Sequence, residues 1–264
     1  MLIVGECLNA TRNVVRQAVL SRDECFIAEL AKTQVKAGAK ILDVNAGTGL
    51  GNEAEDLVWL TKTVQSHVDV PLCLDSSDNN ALFEALKVHR GIPMLNSISA
   101  EPHKLENLLP LVESNPCKVI ALCMDSSGIP NTAYERLEIA RFLVGELTSR
   151  GIKYDDIFVD PVVLSIATDQ NAGQVTLDTI SLIKSEMPEL KVIVAISNVG
   201  FGLPKRSLLN RTLAGLAVAR GADALLMDPM DMGITSEVLA TQAIMGRDMF
   251  CSNYNNAYRN GVLL

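Results

Sequence analysis

Short apolar runs alternate with longer amphipathic stretches along the whole chain. The short runs are rich in Val, Ile and Leu and fall at residues 2–4, 40–44, 71–74, 93–95, 118–124, 157–159, 192–196 and 224–227. They are continuous rather than alternating, which is the pattern of strands covered on both faces. Between them, helical spacing predicts helices over residues 26–37, 81–88, 105–111, 139–147, 175–185, 209–219 and 237–245. A further helix carries Leu57, Leu60 and Val64 on one face. Gly38 closes the helix at 26–37, and a polar tail is expected after the last one. Eight strand-then-helix units, spaced about 20 to 40 residues apart, predict a single (β/α)8 TIM barrel in an α/β chain, one domain over residues 1–264. An open doubly wound sheet would use fewer strands for this length.

In such a barrel the chemistry sits at the C-terminal ends of the strands. The residues at the ends of the apolar runs are Glu6 and Asn9, Asp43 and Asn45, Asp75, Asn96, Asp125, Asp160, Ser197 and Asn198, and Asp228. Nearly all are carboxylates or carboxamides. The three histidines, His67, His89 and His103, fall in helices or near their ends, so a zinc hydrolase with histidine ligands at strand ends is excluded. No Lys follows the sixth or seventh run, which removes the nucleophile of a Schiff-base aldolase. The run Gly47-Thr48-Gly49-Leu50-Gly51 has the wrong spacing for a dinucleotide loop, and neither a nucleophile elbow nor a P-loop is present.

Composition narrows the class further. The 264 residues are 48% hydrophobic and 20% charged, ordinary for a globular protein. With 23 basic and 31 acidic residues the net charge is −8, and no basic run suggests nucleic acid or an anionic membrane. The six scattered cysteines contain no C-x-x-C pair and read as buried thiols of a reducing compartment. The first apolar run is too short for a signal peptide and no stretch is long enough to cross a membrane, so a cytoplasmic protein is expected.

Carboxylates accept hydrogen bonds, whereas carboxamides both donate and accept. A pocket holding Asp75, Asn96 and Asp160 therefore suits a flat heterocycle offering several N–H donors and an acceptor, such as a 2-amino-4-oxo pterin or a guanine edge. The same carboxylates could hold Mg²⁺ or cap the helices that follow.

At these residues the chain resembles the pterin-binding barrel methyltransferases. Their relatives include methyltetrahydrofolate:corrinoid methyltransferases, the folate domain of cobalamin-dependent methionine synthase and, more distantly, dihydropteroate synthase. The resemblance runs end to end. It rests on Gly5-Glu6-x-x-Asn9, Gly38-Ala39-x-x-Leu42-Asp43-Val44-Asn45, Leu74-Asp75-Ser76, Asn96-Ser97, Asp160-Pro161, Ser197-Asn198-Val199 and Asn210-Arg211-Thr212. It implies a methyltransferase acting between tetrahydrofolate or methyltetrahydrofolate and the cobalt of a corrinoid held by a separate protein, without a metal of its own, and a homodimer. Asp75, Asn96 and Asp160 would hold the pterin edge, and Asn198 would face the nitrogen that carries the methyl group. Glu6, Ser197, Arg206 and Met227 match other lining positions, and Asp43, Asn45, Asp75 or Asp160 could hold the water that supplies a proton.

Two departures are Ala195, where relatives often have Gly, and the loop Gly200-Phe201-Gly202-Leu203-Pro204. Both lie at the seventh strand and favour the demethylating direction, in which the methyl group passes from corrinoid to tetrahydrofolate. The rival readings are a dihydropteroate synthase-like enzyme, a Mg²⁺-dependent barrel lyase or phosphatase on Asp43, Asp75 and Asp160, and a folate-binding module without turnover. The synthase should carry a Lys where Ser197-Asn198 stands.

Overall fold

The computed structural model of the chain describes residues 1–49 and 52–264. Leu50 and Gly51 of the glycine-rich run therefore lie outside the described residues. Eight parallel strands close into a barrel in sequence order, with the last paired to the first. They are β1 (Leu2–Asn9), β2 (Ile41–Asn45), β3 (Leu72–Asp75), β4 (Met94–Ser99), β5 (Lys118–Leu122), β6 (Ile157–Asp160), β7 (Lys191–Ala195) and β8 (Ala224–Met227). The expected barrel is thus the observed one. Ten helices lie among the described residues: α1 (Asn13–Ser21), α2 (Glu24–Lys36), α3 (Glu53–His67), α4 (Asn79–Val88), α5 (Pro102–Ser114), α6 (Ala133–Ser149), α7 (Ala172–Glu186), α8 (Arg206–Arg220), α9 (Met232–Ile244) and α10 (Ser252–Arg259). Among the described residues no helix is long and apolar enough to cross a membrane.

The two-residue alternation of strand side chains divides the core in two. One set faces into the barrel and meets at its centre: Val4, Ile41, Cys73, Met94, Ile120, Phe158, Ile193 and Ala224, one from each strand. These eight residues form an apolar floor. The other set, such as Leu42 and Val44 or Leu72 and Leu74, packs outward against the buried stripes of the helices. Capping fixes where several helices begin. Asp23 accepts from Phe26 N at α2, Thr132 from Glu135 N at α6, and Asp231 from Gly233 N and Ile234 N at α9.

Three sequence expectations need correction. β1 continues to Asn9 rather than ending at Val4, and a bulge shifts its register between Gly5 and Leu8. The bulge leaves Cys7 N without a strand partner. The buried Gln34 of α2 supplies one, its Oε1 accepting at 3.0 Å. Gly5 makes room for that amide, because a Cβ there would lie 2.5 Å from Gln34 Oε1. The expected polar tail instead contains α10, which Asp248 organises by accepting from Asn253 N and Tyr254 N. Of the six cysteines, Cys7, Cys73, Cys117 and Cys123 are buried, but Cys25 and Cys251 are exposed.

Candidate active site

Two residues beyond each floor residue, a second inward-facing layer stands at the C-terminal ends of the strands. It consists of Glu6, Asp43, Asp75, Asn96, Leu122, Asp160, Ala195 and Leu226. Five of these eight are acidic or amide side chains, on β1 to β4 and β6. The change from floor to polar ring happens within one strand period.

The ring is bonded to itself. Asn45, Asp75 and Asn96 are register partners across β2, β3 and β4. Asn45 Nδ2 donates to Asp75 Oδ2 at 3.0 Å, and Asn96 Nδ2 donates to Asp43 Oδ1 at 3.2 Å. Asn45 Oδ1 in turn accepts from Gly47 N, which fixes the orientation of its amide. Ser76 donates to Glu53 at the start of α3, bringing a further carboxylate up behind Asp75. On the opposite wall Ser197 Oγ donates to Glu6 Oε2 at 3.0 Å, and Arg206 Nη2 donates to the Ser197 carbonyl at 2.8 Å. Arg12 lies 3.6 Å from Glu6 and 3.7 Å from Asp228.

Burial sets the electrostatics. Desolvation raises the carboxyl pKa of Asp75 to about 6, against the donated bond from Asn45. Asp160 is raised to about 6 by the same cause, opposed by the Val162 N–H and by the Arg136 charge. Asp43 is fully buried and is raised well above the usual range by desolvation, with the nearby Asp75 charge adding to it. Glu6 is also raised, mainly by burial. The mouth is therefore a cluster of under-solvated carboxylates whose ionised forms call for N–H donors.

A cavity of 550 Å³ opens over this ring. Of the expected site residues, Glu6, Asp43, Asp75, Ser197, Asn198 and Arg206 line it. Asn198 is exposed at the rim, in a short 3₁₀ turn (Ile196–Asn198) that follows β7. Asn96 and Asn45 stand behind the lining and join it through Asp43 and Asp75. Asp160 is buried beside Leu122 on β5. Met227 is placed elsewhere. Its strand parity turns it outward, and it lines a smaller adjoining cavity of 240 Å³ with Ile234 and Asp228.

Sequence reasoning missed three contributors. Arg12 lines both cavities, and its place in the loop after β1 was the available signal. Glu53 approaches from the first turn of α3. Arg136 of α6 is 1% exposed and lies on the same helical stripe as Ala140, Leu143 and Leu147. A charge at an apolar spacing marks a buried structural contact, and that signal was legible.

A closed parallel barrel with this polar ring defines a class of protein. The sequence matches the pterin binding enzymes over residues 5–228, and the chain belongs to that family. Among its relatives, the methylcorrinoid:tetrahydrofolate methyltransferase of Eubacterium limosum is 34% identical over 265 residues, covering 100% of this chain and 98% of that protein. The methionine synthase of Mycobacterium tuberculosis (strain ATCC 25618 / H37Rv) is 26% identical over 240 residues, 86% of this chain but 20% of that longer protein. Dihydropteroate synthase of Yersinia pestis, solved with a pterine-sulfa conjugate, superposes with a TM-score of 0.67 at 20% identity, covering 93% of this chain and 94% of that one. The last likeness is one of fold.

Proposed function

We propose that the protein is a methyltransferase that moves a methyl group between tetrahydrofolate and the cobalt of a corrinoid carried by a separate protein. The observation that carries this reading is the full-length likeness to a methylcorrinoid:tetrahydrofolate methyltransferase. The site supports it. In this reading Asp75, which lines the cavity, holds the pterin edge together with Asn96, which reaches the lining through Asp43, and the buried Asp160, a set that offers the acceptors and donor a 2-amino-4-oxo pterin requires. Asp43 and Asp75 already accept from Asn96 and Asn45, an arrangement that favours N–H partners over a hydrated divalent cation. The Ser197-Asn198 pair stands where a synthase would carry Lys, so the synthase reading has support at the level of fold alone.

The chain's own part in the reaction is electrostatic. A tertiary ring amine leaves only if its nitrogen gains positive character, and by microscopic reversibility the same nitrogen sheds a proton when it is methylated. Asn198, exposed at the rim, can accept from the protonated nitrogen through its carbonyl or donate to the neutral one through its amide. Asp43 and Asp75, with raised pKa values beneath it, can hold the water through which that proton travels. The demethylating direction, from corrinoid to tetrahydrofolate, is the one the relative's name describes and the one we favour. A homodimer in the cytoplasm completes the proposal.

The test separates binding from chemistry. Tetrahydrofolate and methyltetrahydrofolate should bind the purified protein in titration calorimetry with EDTA present. Asn198→Ala should slow methyl transfer from a methylated corrinoid protein by roughly 100-fold while changing tetrahydrofolate affinity by less than about threefold. Equal losses in both would reduce Asn198 to a binding residue, and no binding of either folate would overturn the proposal.

A further inference from the structure

Arg136 is the largest fully buried side chain of the protein. No carboxylate lies within ion-pair distance of it among the described residues. Its guanidinium instead reaches three backbone carbonyls. Nε donates to Pro130 O at 2.9 Å, and Nη1 donates to Pro161 O and Val162 O, each at 2.8 Å. Pro130 belongs to the connection after β5, and Pro161 and Val162 to the connection after β6. One side chain therefore ties two adjacent loops of the barrel mouth together.

The loop after β6 is unusual at Val162, which has φ of +62°. A β-branched residue is disfavoured there and holds that conformation only when its surroundings impose it. In this conformation Val162 N donates to Asp160 Oδ1 at 2.7 Å. That bond fixes the rotation of the Asp160 carboxylate and uses one of its oxygens, leaving the other for a ligand. Arg136 thus holds the backbone that aims Asp160, without touching the site itself.

We infer that Arg136 is a positioning residue for pterin binding: by clamping the Pro161 and Val162 carbonyls it keeps Val162 left-handed, and so keeps the Asp160 carboxylate turned toward the ligand. This rests on the proposal that Asp160 holds the pterin edge. The guanidinium fork suits the task, because it presents several donors in one rigid plane. An ammonium in its place would have to reach carbonyls on two loops from a single point.

Tetrahydrofolate affinity by calorimetry, measured well below each variant's melting temperature, tests the inference. Arg136→Met should weaken affinity about tenfold or more, and Arg136→Lys should give an intermediate loss. Val162→Gly adopts the left-handed backbone without a clamp. Added to Arg136→Met, it should restore affinity to within about threefold of the parent while leaving the melting temperature low. A merely structural arginine would lower the melting temperature and leave affinity unmoved. If Arg136→Met does not fold, Arg136→Lys with and without Val162→Gly is read in the same way. Unchanged affinity in the Arg136 variants, or a loss that Val162→Gly does not relieve, would overturn the inference. Asp160→Asn separates this from failure of the underlying proposal: if that variant binds tetrahydrofolate like the parent, Asp160 does not hold the pterin and the functional reading falls instead.

Discussion

A buried carboxylate kept for a ligand costs stability while it waits. Asp75 makes the point because its pKa in the folded protein, about 6, lies above the ordinary 3.8. The native state therefore binds the Asp75 proton more tightly than the unfolded chain does, and stability declines as pH rises from about 4 to 6. Above that window the penalty is complete, on the order of 3 kcal/mol for a shift of this size. Asp75→Asn should raise the melting temperature at pH 7.5, because the amide can still accept from Asn45 without carrying charge. The gain should vanish below pH 4, and tetrahydrofolate affinity should fall at least tenfold at neutral pH. Melting curves at both pH values with one calorimetric titration check this. The identities of Glu6, Asp43, Asp75, Asn96 and Asp160 were readable in sequence because each stands at or just beyond the end of an apolar run. The bonds among them were not. Asn45 pairs with Asp75 because register brings β2 and β3 level, whereas Asn96 reaches past β3 to Asp43 on a strand that is not its neighbour.

Elements were legible where burial was uniform. β8 lies over the residues expected of it, and α7 is three residues longer at its start than its apolar spacing implied. β1 and β4 were cut short because their upper halves carry polar residues into the mouth. The α9 and α10 region was least readable. The start of α9 depends on Asp231, whose Oδ1 accepts from Gly233 N at 2.9 Å and from Arg211 Nη2 at 3.0 Å. Arg211 packs so closely that a Cβ at Gly233 would overlap its guanidinium. Asp231→Ala removes the cap and leaves Arg211 without its carboxylate. It should cost about 2 kcal/mol in denaturant unfolding, at the upper end of cap losses. Gly5→Ala should be costlier for a mutation of one methyl group, since the Gln34 amide that satisfies the β1 bulge would have to move.

For the whole molecule, the raised carboxylates act together. Glu6, Asp43, Asp75 and Asp160 all shift upward, so each gives up stability as pH rises toward neutrality. Glu101 and Asp125 shift the other way, through hydrogen bonds from Lys104 and Ser127, but water screens them outside the cavity. The half-buried His89, whose pKa burial lowers, opposes the four carboxylates as a single group. Before acid unfolding sets in, the protein should therefore melt several degrees higher near pH 5 than at pH 8. Tetrahydrofolate should reverse part of that slope by giving the ionised carboxylates their donors, so its stabilising shift should be larger at pH 8. Scanning calorimetry with and without ligand across this range is the check.

The apolar floor has a further consequence. Its eight side chains are at most 4% exposed and close the barrel from below, which leaves the mouth as the way in. Under the proposed function, a flat ligand on the ring with the corrinoid protein over the opening would cut the protons beneath off from the surrounding water. In the direction favoured above, the proton shed by the methylated nitrogen would then have to stay on the ring of carboxylates until the cover lifts.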